Sequence, residues 1–131
     1  MKECPRTGGV MIIGIGTDIT EVERIKKNME NNRFLQKIYS ERELEYLKIR
    51  KFNPQTATGM FAAKEAVAKC LGTGFSNFGP CDIEILKDEI GKPIVFLSKN
   101  ALKKAEELNI KTIHISISHT NDFAVAQCVA E

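Results

Sequence analysis

The chain has 131 residues, 43% of them hydrophobic, and a formal net charge of +2. That length suits one domain with its own core, and so small a charge supplies no broad basic field of the kind nucleic acids attract. With no tryptophan, nine aromatic residues and no run near the ~18 apolar residues of a membrane helix, neither nucleic acid nor a membrane is expected as a partner.

Residues 1–10 contain Pro5, Gly8 and Gly9 in place of an apolar signal core and read as a flexible N-terminal extension, with 11–131 as a single domain. Cys4, Cys70, Cys81 and Cys128 are scattered, without a C-x-x-C pair and beside only two histidines. Reduced thiols and a cytoplasmic location are therefore expected, not a zinc site or a disulfide framework.

From Val10 to Ile19 the chain alternates as a strand. Ile13, Ile15 and Thr17 fall on one face and Gly14, Gly16 and Asp18 on the other. Glycine inside a strand marks a place where a ligand or another backbone comes close, so Asp18 ends a bared row. Ile19 stands where the third glycine of G-x-G-x-x-G would be, which excludes the dinucleotide fingerprint. A plainer reading makes Asp18 or Thr20 the cap of a following helix.

Thr20 to Lys51 reads as at least two charged helical pieces, broken near Asn31-Asn32 and restarted at Ser40, whose spacing to Glu43 fits a capping box. Nine basic and six acidic residues give this segment a local excess of three positive charges. It is either a solvated helix surface or a docking surface for an acidic protein.

After a break around Pro54, a helix is expected to run to Leu71 and stop at Gly72-Thr73-Gly74. At 3.6 residues per turn Phe61, Glu65 and Lys69 share one face, and Ala62, Ala63, Ala66, Val67 and Cys70 fill another. An alanine face lets a neighbour approach closely, while Glu65 and Lys69 have the spacing of a surface pair.

Cys81 to Leu86 and Pro93 to Leu97 read as a strand hairpin joined through Lys87–Lys92. Ser98 to Leu108 reads as an amphipathic helix capped by Ser98, with Leu102, Ala105 and Leu108 inward. Ile113 to His119 and Phe123 to Val129 form a second hairpin around Asn121-Asp122. His119 closes an apolar row, and no nucleophile-elbow pattern supports a hydrolase built from Ser116, Ser118 and His119. The order of elements predicts an α+β fold with a small, mostly antiparallel sheet and several helices, and so few strands invite self-association.

Carboxylates beside hydroxyls and lysines suit a hard cation such as Mg2+, which commonly takes one or two carboxylates together with substrate phosphates. Asp18 and Glu65 are the natural pair. Phosphoryl chemistry would use such a cation, with a lysine as an added point charge.

Ile13-Gly14-Ile15-Gly16-Thr17-Asp18-Ile19, followed some forty residues later by Phe61-Ala62-Ala63-Lys64-Glu65-Ala66-Val67-Ala68-Lys69, resembles the two signature motifs of the 4′-phosphopantetheinyl transferases, in particular the short holo-[acyl-carrier-protein] synthase type. Gly72-Thr73-Gly74, Asp82-Ile83-Glu84-Ile85, Gly91-Lys92-Pro93 and Ile115-Ser116-Ile117-Ser118-His119-Thr120 extend the likeness over Met11 to Val129.

The resemblance implies transfer of phosphopantetheine from coenzyme A to a serine of an apo acyl carrier protein, releasing adenosine 3′,5′-bisphosphate. Asp18 and Glu65 match the family's Mg2+ ligands and Lys69 the lysine near the transferred phosphate, with Glu65 or a metal-bound water as the base. Lys64, Gly91, Lys92, Pro93, His119 and Thr120 match positions that contact coenzyme A. Arg24, Arg33, Phe34 and Lys37 fall on the carrier-docking helices. The resemblance also implies a homotrimer with active sites between chains. Met60 stands where many members carry arginine.

Two other classes fit the residues alone. One is a self-associating module that binds acidic helices through Thr20 to Lys51. The other is a Mg2+-dependent phosphohydrolase.

Overall fold

The computed structural model describes residues 11–131, so the expected flexible extension over 1–10, with Cys4, lies outside the described residues. Strand β1 (Gly14–Glu21) leads into three short helices, α1 (Val22–Asn28), α2 (Asn32–Ile38) and α3 (Glu41–Ile49), and then the long α4 (Pro54–Cys70). Strands β2 (Ile83–Lys87) and β3 (Pro93–Leu97), helix α5 (Lys99–Glu107) and strands β4 (Ile113–His119) and β5 (Phe123–Ala130) complete the chain. The expected α+β class with antiparallel pairing is found.

Side chains set the helix starts by occupying the amide groups that a first turn leaves free. Asn31 Oδ1 accepts from Arg33 N at 2.9 Å, and Asn53 Oδ1 accepts from Thr56 N at 3.0 Å just before Pro54. The capping box is complete: Ser40 Oγ accepts from Glu43 N at 3.2 Å, and Glu43 Oε1 accepts from Ser40 N at 2.9 Å. Past the end of α4, Gly72 at φ +84° and Gly74 at φ +57° turn the chain through the left-handed region.

Four local expectations are corrected. The strand predicted from Cys81 begins at Ile83, because Pro80–Asp82 form a 3-10 turn with proline at its start. Ser98 precedes α5, yet its side chain makes no capping hydrogen bond. Leu102 is 43% exposed, and Ala101 and Ala105 carry the buried face of α5 instead. Neither Asp18 nor Thr20 caps a helix, since β1 continues to Glu21 before α1 begins.

There are two sheets where one was expected. Strands β1, β5 and β4 form one in that order, all antiparallel, and β2 and β3 pair as a separate hairpin. Helix α4 lies across the three-stranded sheet, and from Ala57 to Cys70 every residue except Glu65 and Lys69 is buried. One apolar cluster joins α4 to Ala124, Ala126 and Cys128 of β5, to β2 and to α5. A second joins the other half of α4 to Ile25 of α1, Ile38 of α2, Tyr39 just after it and Leu47 of α3. The opposite face of the sheet is bare: Ile15 is 68% exposed, Ile19 64%, Phe123 43% and Val125 38%.

Candidate active site

The alternation of β1 turns Gly14, Gly16, Asp18 and Thr20 toward α4 and leaves Ile15, Thr17 and Ile19 exposed. What meets the bared glycines is the helix backbone itself. A methyl group on Gly16 would stand 2.9 Å from Cys70 N and 3.0 Å from the Ala66 carbonyl carbon, and closer still to the Ala66 oxygen. Strand and helix therefore approach as closely as two backbones can, and that places the carboxylate of β1 beside the polar positions of α4.

Three charged groups converge there. Lys69 Nζ donates to the Thr17 carbonyl at 2.9 Å and lies 3.5 Å from Asp18 Oδ1. The expected Glu65–Lys69 surface pair is thus corrected, since the close partners of Lys69 are on β1. Asp18 Oδ2 accepts the Thr20 hydroxyl at 2.6 Å. Glu65 is half-buried, and its carboxyl is held above the usual range, first by burial and next by the negative charge of Asp18. The cations Lys69 and Arg24 offset that rise in part.

Two neighbouring oxygen-donor carboxylates suit Mg2+. Among the described residues no cluster of three or more His, Cys, Asp or Glu side chains forms a protein-only cage. The donor set fits a cation that takes its remaining ligands from phosphate and water.

Lys64 does not belong to this group, and its expected contact with coenzyme A is corrected. It is 1% exposed, and its three ammonium protons meet Glu43 Oε1 at 2.6 Å, the Pro80 carbonyl at 2.9 Å and the Ile83 carbonyl at 2.5 Å. An ammonium has three donors, so none remains for a ligand. Burial lowers the Lys64 pKa, and Glu43 opposes the shift. Glu43, fully buried, also accepts from Ile85 N at 2.8 Å, which ties α3, α4 and β2 together.

The remaining predicted residues lie on other elements. His119 ends β4 opposite Ala124, and Thr20 lies opposite Ala124 from the other side, which places His119 about 10 Å across the sheet from Thr20. Thr120 Oγ1 accepts from the Asp122 and Phe123 amides and shapes the turn. Gly91, at φ +86°, Lys92 and Pro93 form the tip of the separate β2–β3 hairpin.

Arg24 lies on α1 with its guanidinium 5.2 Å from the Phe61 ring centre. Phe34 stacks on the same ring at 6.4 Å, and Arg33 and Lys37 are exposed beside it on α2. Met60 is buried in the second apolar cluster. The sequence offers Thr20 only as a helix cap; its position two residues past Asp18, on the same strand face, is the signal for its hydrogen bond.

The family model for the 4′-phosphopantetheinyl transferase superfamily matches residues 14–128, from the first residue of β1 into β5. The chain belongs to this superfamily. A curated relative, holo-[acyl-carrier-protein] synthase of Clostridium botulinum strain Alaska E43, is 56% identical over 122 residues, covering 92% of this chain and 98% of the relative. Among solved structures, Plasmodium yoelii acyl carrier protein synthase with ADP bound has a TM-score of 0.84 at 39% identity, covering 94% of this chain and 97% of that one. Helicobacter pylori holo-[acyl-carrier-protein] synthase in complex with coenzyme A has a TM-score of 0.79 at 33% identity, covering 89% and 99%. Like these relatives, the superfamily member described here is an enzyme of the phosphopantetheinyl transferase class.

Proposed function

We propose that the chain transfers the 4′-phosphopantetheine group of coenzyme A to a serine of an apo acyl carrier protein and releases adenosine 3′,5′-bisphosphate. The observation that carries this reading is the meeting of Asp18, Glu65 and Lys69 where β1 crosses α4. In the reaction a bond forms between the serine oxygen and the β-phosphorus, the pyrophosphate P–O bond breaks, and the serine proton is taken up by a base.

Mg2+ at Asp18 and Glu65 would supply charge neutralisation on the pyrophosphate oxygens. Lys69 holds an ammonium at the edge of the same site and donates to phosphate oxygen as negative charge develops. Glu65, half-buried beside Asp18, is the base of this proposal. Both roles depend on the close β1–α4 contact, because positioning is the larger part of phosphoryl-transfer catalysis.

Gly91, Lys92, Pro93, His119 and Thr120 take the nucleotide end of coenzyme A in this reading. The same reading has the site completed between copies. The bare face around Ile15, Ile19, Phe123 and Val125 supports such self-association, as a homotrimer. Arg24, Arg33 and Lys37 around Phe34 form the surface for the acidic carrier. The free thiols Cys70, Cys81 and Cys128 suit a cytoplasmic enzyme, and no helix among the described residues is long and apolar enough to cross a membrane.

The test is to incubate the protein with coenzyme A, Mg2+ and an apo acyl carrier protein and to weigh the carrier by mass spectrometry. A phosphopantetheine adduct supports the transferase. Phosphate release without an adduct indicates a phosphohydrolase, and neither product leaves a binding module. Asp18→Ala and Glu65→Ala are each expected to abolish the adduct in a folded protein; substantial transfer by either would overturn the cation assignment.

A further inference from the structure

Thr20 carries a hydroxyl at a position where an apolar side chain would suit the fold. It is 3% exposed, faces α4 at the end of the row Gly14, Gly16 and Asp18, and lies opposite the fully buried Ala124. A hydroxyl in such a place is unfavourable unless it is hydrogen-bonded, and valine, of nearly the same shape, is at least as comfortable in a strand. The one hydrogen bond this hydroxyl makes among the described residues is to Asp18 Oδ2, at 2.6 Å.

That bond sorts the two oxygens of Asp18. Oδ2 is pinned toward the buried end of the strand. Oδ1 faces Lys69 at 3.5 Å on the open side, where the Asp18 side chain is 14% exposed. Without the hydroxyl the carboxylate is free to rotate about its terminal bond, whose preferences are broad. Lys69, held by the Thr17 carbonyl at 2.9 Å, is then free to engage either oxygen.

We propose that Thr20 is the positioning residue of Asp18, fixing the carboxylate so that Oδ1 is presented to the cation. This rests on the reading of Asp18 and Glu65 as the cation pair. Partners that orient a metal ligand from behind typically change metal affinity by about 10- to 100-fold when removed.

The experiment measures Mn2+ binding to the full chain with coenzyme A present and carrier protein absent, following free Mn2+ by electron paramagnetic resonance against coenzyme A alone. Wild type, Thr20→Val, Thr20→Ser and Asp18→Ala are compared, with a thermal melt of each. Asp18→Ala is expected to lose the site. Thr20→Val should bind Mn2+ at least about 10-fold more weakly while melting no lower than wild type, and Thr20→Ser should bind within about 3-fold of wild type. Thr20→Val binding as wild type does, while Asp18→Ala loses the site, overturns the role of Thr20 alone. Loss in Thr20→Ser equal to that in Thr20→Val also overturns it, because the methyl group would then carry the effect. Failure of wild type to bind Mn2+, or binding indifferent to Asp18→Ala, overturns the cation reading itself.

Discussion

Replacing Gly16 by alanine tests the close approach on which the site depends. The added methyl would stand 2.9 Å from Cys70 N and 3.0 Å from the Ala66 carbonyl carbon, where ordinary contact begins at 3.4 Å, and it would fall deeper still into the Ala66 oxygen. These are backbone atoms of a buried helix, so no side chain can swing aside. The strand must retreat by about 0.5 Å from the first two atoms and by more from the third. Overpacking costs about 1 to 3 kcal/mol, and backbone against backbone belongs at the upper end. About 3 kcal/mol lowers the melting temperature of a domain this size by roughly 12 °C. Because Asp18 moves with β1, transfer should also fall about 100-fold, the usual consequence of a misplacement near 1 Å.

Gly59→Ala is the matched control. Its methyl would meet only a side-chain methyl, Cγ2 of Ile117 at 3.0 Å, which needs to give by a few tenths of an ångström, and no backbone of a neighbouring element. Helix propensity there favours alanine by up to about 1 kcal/mol, so the variant should melt near or above the parent. Melting is followed by circular dichroism, and transfer by the mass of the carrier protein. A Gly16→Ala protein that melts within about 2 °C of the parent and transfers at an undiminished rate would refute the reasoning.

Three other outcomes are expected. Lys64→Met leaves Glu43 buried without its cation and should cost about 3 to 5 kcal/mol by chemical denaturation; the double variant with Glu43→Leu should recover much of this. Burial acts to raise the Glu84 carboxyl, but hydrogen bonds from Arg42 and Ser40 outweigh it and hold its pKa below the ordinary 4.5. Its stabilisation is complete above 4.5 and is lost as pH falls through the lower folded value, so Glu84→Gln should flatten the acid limb of melting temperature against pH. Ile15→Lys with Ile19→Lys should reduce the proposed homotrimer to monomers in sedimentation velocity while leaving each chain folded; unchanged sedimentation would contradict the proposed interface.

Features written locally were legible in the sequence. The alternation of β1, the capping box of Ser40 and Glu43, and the stop of α4 at Gly72 depend on residues within a few positions of one another. The pairing of Asp18 with Glu65 rests on carboxylate chemistry and then on the resemblance, and the structure adds a physical reason, the mutual fit of Gly16 with Ala66. Lys64 was misread because nothing local shows that a lysine is buried; its partner Glu43 is 21 residues away. Leu102 was misplaced by one position, about 100° around the helix, because Ala101 and Leu102 are both apolar and only the packing of α5 decides between them. The number of sheets could not be read, since β3 lies near β4 without pairing to it, and no pattern within either strand forbids the bond.

The burial of α4 on nearly every side governs how the site is lost. Glu65 and Lys69 belong to the helix with the most buried residues among the described elements, and segments of that kind open to hydrogen exchange only when the whole domain unfolds. Fraying of loops or ends leaves such a pair undisturbed. Heat or denaturant should therefore remove Glu65 and Lys69 from their places and unfold the chain in one transition.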